Sequence, residues 1–303
     1  MLDVCLLGTG GTVPLPQRWL TSCLIRYQGS SLLIDSGEGT QITLHKEGYS
    51  CKQIDAILLT HYHADHTTGL PGLLLSMAKS DRTEPVWIIG PKGLKNFIDG
   101  VMKIAMYIPF ELHLLEYEEQ EFCFAMCGME ITAFRVRHSV PCWGYEINVE
   151  RRPRFDAERA KQQNIPLRLW NPLQKGETVE YEGKVYTPDM VLGKPRKGLK
   201  LVYVTDTRPV PAIAAHAQNA DLLIAEGMYG EAEKLEKAKL NRHMMMQEAA
   251  SIAQEANVRE LWLTHYSPSM PYPAMYKEEV RAIFPNTIIS KDGQKTDLAF
   301  TEE

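Results

Sequence analysis

The segment LLTHYHADHTTGL places three histidines and an aspartate within six residues, at the end of an apolar run. The run IDAILLT has the length and β-branched content of a buried strand, and GLPGLLLSMAK after the cluster has the apolar spacing of a helix. The four ionisable residues therefore occupy a strand-to-helix loop. They are His61, His63, Asp65 and His66.

This spacing is typical of a metal site. In an extended loop alternate side chains share a side, so His61 and His63 can meet one cation while Asp65 and His66 reach a second. Imidazole and carboxylate suit divalent ions, and a catalytic site leaves positions open for water. We expect Zn²⁺, two ions per chain, although Mn²⁺ would also fit such ligands.

Four residues cannot complete two metal sites, so further ligands are expected elsewhere. Three ionisable residues stand where apolar runs stop: His138 after AFRVR, Asp206 after KLVYVT, and His265 after ELWLT. Each alone could be a hydrogen-bonded strand-end residue. Taken with the cluster, the three are predicted to complete the metal centre.

The order of apolar runs indicates an α/β fold. Short runs broken by glycine in the first half, such as LDVCLLG, SCLIRYQ and SSLLIDSG, favour strands. Strand signals resume at LKLVYVTD, DLLIAEG and LWLTHYS, and helical spacing appears in KGLKNFIDGVMKIAMY and MMMQEAASIAQEAN. Two halves, each running from strands into helices, predict an αββα four-layer sandwich of two sheets covered by helices.

Charge is distributed unevenly along the chain. The chain carries a net charge of −5, but positions 151 to 200 hold twelve Lys and Arg against six Asp and Glu, a local charge of +6. The segment from 151 to 198 reads as an inserted basic arm with a little local structure. Such a region could engage a polyanion or could simply be solvated surface.

Bulk composition is that of an ordinary folded protein. The 303 residues are 44% hydrophobic and 23% charged, enough for a sizeable core. The N-terminus lacks the pattern of a signal peptide, and no stretch approaches about 18 apolar residues, so we expect a cytoplasmic protein without a membrane segment. The six cysteines lie in apolar contexts without C-x-x-C spacing, which predicts buried free thiols.

The run HYHADH matches the His-x-His-x-Asp-His pattern of the metallo-β-lactamase superfamily, and His138, Asp206 and His265 follow in the order that fold uses. Other stretches resemble the ribonuclease Z family in particular, among them GTGGTVPLPQR, SLLIDSGEGTQ, RFDAERAKQQNIP, VLGKPRKG, YVTDTRP and NRHMMMQEAASIA. The resemblance runs from about residue 3 to residue 295. It implies a metallo-β-lactamase sandwich with an inserted arm.

The resemblance also implies an assignment of ligands. One zinc would be held by His61, His63 and His138, the other by Asp65, His66 and His265, with Asp206 bridging. Two such cations can share a hydroxide that attacks phosphorus and can stabilise the leaving oxygen. Asp65 would in addition orient the nucleophile or accept its proton.

The same resemblance implies roles for three further residues. His243, in NRHMMM, would protonate the departing 3′ oxygen, and Glu226, in LIAEG, would pair with it. Asp35 would support the metal loop without ligating. The alternatives are an ordinary strand-end acid for Glu226 and a turn residue bonding its own backbone for Asp35. His45, His113 and His216 belong to no motif.

For the whole chain, the resemblance implies a single catalytic domain over 1–303 whose arm, 151–198, grips precursor tRNA. The expected reaction is zinc-dependent endonucleolytic removal of a 3′ trailer, leaving a 3′-hydroxyl, by a homodimer. The sequence departs from the family in NIPLRLWNP, AEGMYG and THYSPSMPYP. A diverged phosphodiesterase acting on a small ester therefore stays open, as does a non-catalytic RNA-binding relative.

Overall fold

A computed structural model describes residues 1–301 of the chain. Strands account for both sheets of the sandwich and for one hairpin. In chain order they are Leu2–Gly8 (β1), Ser22–Tyr27 (β2), Ser30–Ile34 (β3), Ile54–Leu58 (β4), Val86–Pro91 (β5), Leu112–Tyr117 (β6), Glu121–Met126 (β7), Met129–Val136 (β8), Cys142–Arg151 (β9), Val179–Tyr181 (β10), Lys184–Tyr186 (β11), Arg196–Val204 (β12), Leu222–Glu226 (β13), Leu261–Thr264 (β14), Thr287–Ile289 (β15) and Gln294–Leu298 (β16).

Helices alternate with these strands and are short. In chain order they are Thr40–Lys46 (α1), Ala64–Thr67 (α2), Leu70–Lys79 (α3), Leu94–Val101 (α4), Ala157–Gln162 (α5), Leu167–Gln174 (α6), Pro211–Ala217 (α7), Leu235–Asn241 (α8), Met246–Glu255 (α9) and Lys277–Ile283 (α10). The chain divides into two compact units, a body of 1–149 with 199–301 and an arm of 150–198.

The body contains two seven-stranded sheets. The first has the order β16-β1-β2-β3-β4-β5-β6 and the second the order β15-β14-β13-β12-β9-β8-β7. In the first sheet β3 to β6 run parallel, and in the second β12 to β15 run parallel. Their carboxyl ends are the edges at which parallel α/β sheets present functional loops.

Alternation along the strands explains the layers. In β1, Val4 and Leu6 face the core between the sheets, whereas Cys5 and Leu7 face the helices outside. The outer face of the first sheet packs against α1, α3 and α4. The outer face of the second packs against α7, α9 and α10. The predicted αββα four-layer sandwich is therefore confirmed.

Three residues of the predicted centre follow strands in a strained conformation. Asp35 after β3, Asp206 after β12 and His265 after β14 have φ of 58°, 54° and 55°. Non-glycine residues adopt this left-handed region at a cost of about 1–3 kcal/mol each, a cost found mostly at functional sites. Each side chain is thereby turned away from the strand direction at the point where the strand ends.

The arm has its own small core. Helix α5 begins at Asp156, whose side chain accepts a hydrogen bond from the Arg159 backbone nitrogen at 2.9 Å. Strands β10 and β11 form a hairpin whose turn residues, Glu182 and Gly183, both have positive φ. The apolar side chains buried under these elements are Ala160, Ile165, Leu169, Leu173 and Val191. The arm therefore holds more structure than its sequence indicates.

One helix is shorter than its sequence pattern predicts. Helical spacing runs to Tyr107, but α4 ends at Val101 and leaves Ile104 and Tyr107 exposed. All six cysteines are free thiols, as predicted, but only Cys5, Cys23 and Cys142 are buried, and Cys123 is exposed because it lies on the edge strand β7. Within residues 1–301, no helix is long and apolar enough to cross a membrane.

Candidate metal centre

The loop after β4 and the ends of two strands, β8 and β12, bring four side chains into a first donor cluster, which consists of His61, His63, His138 and Asp206. His138 Nε2 lies 3.2 Å from His63 Nδ1 and 3.6 Å from Asp206 Oδ1. His61 Nε2 lies 4.0 Å from the same carboxylate oxygen. Three imidazole nitrogens and one oxygen thus surround one point.

A second donor cluster, which consists of Asp65, His66 and His265, lies beside the first. His66 Nε2 and His265 Nε2 are 3.2 Å apart, and Asp65 Oδ2 is 3.4 Å from His265 Nε2. The other oxygen of Asp206, Oδ2, lies 2.9 Å from His66 Nε2 and 3.2 Å from His265 Nε2. Asp206 therefore presents one oxygen to each cluster.

The donor atoms fit divalent metal ions. Zinc binds nitrogen and oxygen at about 2.0–2.2 Å, and a tetrahedral arrangement then separates ligand atoms by about 3.4 Å, close to these distances. His61 Nε2 is buried and lacks a hydrogen-bond partner among the described residues. Buried polar atoms rarely stay unpaired, so this nitrogen is consistent with a cation at the first cluster.

Hydrogen bonds behind the clusters orient the rings. Asp35 is fully buried and lies 2.7 Å from His66 Nδ1. It also accepts hydrogen bonds from the Thr60 backbone nitrogen and hydroxyl, and the same hydroxyl lies 3.0 Å from His61 Nδ1. One carboxylate therefore supports a ring in each cluster, which leaves Nε2 of both rings aimed at the centre.

The protonation states and charges in the two clusters also favour the binding of cations. Burial lowers the pKa of His138 to about 4, so its imidazole is neutral and can ligate at pH 7. Burial disfavours charge on His66 as well, but Asp206, Asp35 and Asp65 together raise the pKa of His66 well above its usual range. Three carboxylates around one ring make this a place that attracts positive charge.

His243 and Glu226 form a pair beside the clusters. His243 Nδ1 lies 2.9 Å from Glu226 Oε2 and 3.9 Å from Asp206 Oδ1. Burial opposes protonation, yet the Glu226 carboxylate raises the pKa of His243 to about 9. The imidazole is therefore charged at neutral pH and carries a proton that it could donate.

The glycine-rich turn after β1 contacts the centre, a role that its sequence alone did not predict. The Thr12 backbone nitrogen donates to Asp65 Oδ2 at 2.6 Å. Gly11 is so close to His265 that a Cβ there would come within 2.6 Å of the ring. The run GTGGT was the available signal, since glycine permits close approach of the backbone.

The histidines without a motif lie elsewhere in the body. His45 is exposed on α1, and His113 stacks edge-on against Trp87 with ring centroids 4.9 Å apart. His216, on α7, lies with Nδ1 2.6 Å from Glu146 Oε2. None of the three joins the donor clusters.

The arm carries a basic cavity of about 540 Å³. Its cationic lining residues are Arg152, Arg154, Lys175 and Arg196. Arg196 also donates to the Arg152 carbonyl, at 2.7 Å from Nη2 and 2.9 Å from Nε. Phe155 lines the same cavity and adds an aromatic surface beside the cations.

Solved structures of other proteins share this fold. The superposition on human tRNase Z, short form, covers 98% of this chain and 100% of that protein, with a TM-score of 0.70 and 24% sequence identity. It matches the metallo-β-lactamase fold protein YhfI from Bacillus subtilis with a TM-score of 0.71 at 20% identity, covering 97% of this chain and 98% of that one. These likenesses identify the metallo-β-lactamase fold.

Sequence relatives are more specific. A family model described as anti-Pycsar protein Apyc1 matches residues 2–147. Over their full lengths, the chain and a ribonuclease Z of Agathobacter rectalis are 54% identical. A ribonuclease Z of Clostridium acetobutylicum is 48% identical across 96% of both chains. With such identity over the whole chain, the protein belongs to the ribonuclease Z family.

Proposed function

We propose that the protein is a zinc-dependent endoribonuclease that removes the 3′ trailer from precursor tRNA and leaves a 3′-hydroxyl. The observation that carries the proposal is the pair of donor clusters sharing Asp206, in a chain similar along its whole length to proteins named ribonuclease Z. Paired cations can stabilise both the attacking and the leaving oxygen of an in-line displacement at phosphorus.

In this proposal seven residues would hold two zinc ions. His61, His63 and His138 would hold the first ion and Asp65, His66 and His265 the second, with Asp206 contributing to both. When bound, such ions lower the pKa of water towards neutrality and stabilise charge on phosphoryl oxygens. The preponderance of imidazole favours zinc, and Mn²⁺ is the alternative ion.

Asp65 and His243 have different roles in the proposed reaction. His66 and His265 outweigh burial and hold the pKa of Asp65 below its usual range, so Asp65 is a carboxylate that can orient the attacking water. The Thr12 backbone nitrogen fixes that carboxylate. His243, kept protonated by Glu226, supplies the proton that the 3′ oxygen needs as it leaves.

The arm supplies affinity rather than chemistry. We assign residues 151–198 as an inserted, tRNA-binding arm of a single catalytic domain spanning 1–303, and its cations would neutralise RNA phosphates without reading sequence. We further propose a cytoplasmic homodimer. Sedimentation of the metal-loaded protein tests the dimer, and a single species at the mass of one chain would refute it.

The second candidate is a phosphodiesterase that acts on a small ester through the same clusters. The net charge of −5 and the motifs AEGMYG and THYSPSMPYP, which depart from the family, favour it. It predicts efficient hydrolysis of small diesters and no preference for structured RNA.

One experiment separates the two candidates. Zinc-loaded protein is given a 3′-extended precursor tRNA and, separately, bis(p-nitrophenyl) phosphate, with His63→Ala as the control. Release of the trailer with a 3′-hydroxyl on the tRNA body, lost in the control, supports the endoribonuclease. Hydrolysis of the small ester alone would reject it in favour of the second candidate.

A further inference from the structure

Arg208, two positions after Asp206, is tied to the segment that carries His243. Its side chain is 14% exposed, and the guanidinium donates through Nη1 to the main-chain carbonyl of His243. Nη1 also donates to Glu248 Oε2 at 2.8 Å, and Nη2 pairs with the other oxygen of Glu248. This is the two-pronged arginine–carboxylate geometry that fixes orientation as well as charge.

Glu248 extends the restraint to the start of α9. Its Oε2 accepts a hydrogen bond from the Met245 backbone nitrogen at 2.9 Å. The Arg208 main chain is itself held, because its nitrogen donates to the Arg137 carbonyl at 3.0 Å. The loop carrying His243 is therefore anchored at residues 243 and 245 to the loop that follows β12, which also carries Asp206.

Three consecutive residues thus act on three parts of the centre. Asp206 joins the two donor clusters, the Thr207 backbone nitrogen donates to Glu226 Oε1, and the Arg208 side chain holds the His243 carbonyl. Glu226 fixes the His243 ring, and Arg208 fixes the backbone from which that ring projects. No sequence motif predicted this second restraint.

We propose that Arg208, together with Glu248, is a positioning residue that holds His243 where it can protonate the leaving oxygen. The inference rests on the proposed function and deepens it. Arg208 does not touch the reacting atoms in this role, because its two terminal nitrogens are committed to His243 and Glu248. Its loss should affect reactions that need a proton on the leaving group and spare those that do not.

Two substrates make that distinction. The 3′ oxygen of RNA is a poor leaving group that needs protonation, whereas p-nitrophenolate leaves readily without it. The variants are Arg208→Lys, which keeps the charge but not the fork, and Glu248→Gln, which keeps the shape but not the charge. The matched control is Arg281→Lys, in which the arginine donates from Nε to the Thr287 carbonyl away from the centre.

We expect Arg208→Lys to lower kcat for precursor tRNA by about 100-fold, the effect of displacing a catalytic group by about 1 Å. KM for the RNA, hydrolysis of bis(p-nitrophenyl) phosphate and the zinc content should stay within about threefold of the wild type. Glu248→Gln should show the same selectivity with a smaller loss, and Arg281→Lys should show none. Thermal unfolding of each variant checks that it is folded.

Three results would overturn the inference. An equal loss on both substrates would make Arg208 a general structural residue, and a raised KM with unchanged kcat would make it a substrate contact. Wild-type rates in both variants would remove it from the reaction. If the wild-type protein cleaves no precursor tRNA, the proposed function fails first, and the inference fails with it.

Discussion

The buried carboxylate of Asp35 lies 2.7 Å from Nδ1 of His66 and reaches His61 through the Thr60 hydroxyl. Asp35 therefore orients one ring in each donor cluster without joining either. Replacing it by asparagine should weaken binding of both metal ions by about 10–100-fold, as for other residues behind metal ligands.

Competition with a chromophoric chelator measures this loss. Asp55→Asn is a suitable control, because Asp55 accepts a hydrogen bond from the Ser31 backbone nitrogen outside the centre. Unchanged affinity in Asp35→Asn would contradict the supporting role.

Asp206 gives one carboxylate oxygen to each cluster, whereas His63 belongs to the first cluster alone. We therefore expect different metal stoichiometries for the two variants. His63→Ala should retain about one ion and Asp206→Asn less than one, with more than about 100-fold loss of activity in both. Elemental analysis after desalting counts the ions, and two ions in Asp206→Asn would show that it does not bridge.

The basic cavity of the arm offers a test by salt dependence. Arg154→Gln and Lys175→Gln remove cations from its lining. For each cation that binds a phosphate, its removal should reduce the slope of log affinity against log salt by about 0.7–0.9. Lys161→Gln is the matched control on the same arm, because Lys161 is paired with Glu158 at 2.8 Å. Equal slopes for all proteins, measured by filter binding of precursor tRNA, would exclude the cavity from RNA binding.

Glu146 provides a pH-dependent contribution to stability away from the centre. Burial would raise its pKa, but hydrogen bonds from His216, Asn148 and Lys200 lower the pKa of Glu146 from 4.5 to about 2. A carboxyl group with a depressed pKa stabilises the fold above its unfolded pKa and loses that effect as pH falls through the folded value. The stabilisation is thus present above about pH 4.5 and fades towards pH 2.

Glu146→Gln should lower the free energy of unfolding by about 1–2 kcal/mol at pH 7, after allowance for solvent screening. Denaturant titrations of variant and wild type at pH 7 and at pH 3 check the change. Acid release of metal is common to both proteins and cancels in the difference. Glu130→Gln, at an exposed position of β8, is the control. A difference that grows in acid would contradict the assignment.

Local sequence patterns predicted the features that are determined by residues close together in the chain. The apolar run before His61 and the runs before Asp206 and His265 end in loops at parallel strand ends, so the hydrophobic pattern taken together with the histidine cluster made these residues candidates. The pairing of Glu226 with His243 needed the family resemblance, since its two residues lie 17 positions apart.

Interactions between distant residues left no such signal. Arg208 and Glu248 are 40 positions apart, and the Thr12 nitrogen meets Asp65 across 53 positions, through loop shapes that no local pattern encodes. The end of α4 at Val101 was also missed, because apolar spacing continued past the point where packing against the sheet stopped. Tertiary packing, not propensity, decided these details.

The pairing of His66 with His265 joins residues 199 positions apart, one in the helix that follows β4 of the first sheet and the other directly after β14 of the second. An ion held between them would act on the folded chain as a crosslink does, and by mass action it would stabilise the folded state by about 2.7 kcal/mol when free metal exceeds its dissociation constant 100-fold. Metal scarcity would then shorten the lifetime of the polypeptide and also lower its activity. The concentration of protein in a metal-starved cell would fall along with its turnover.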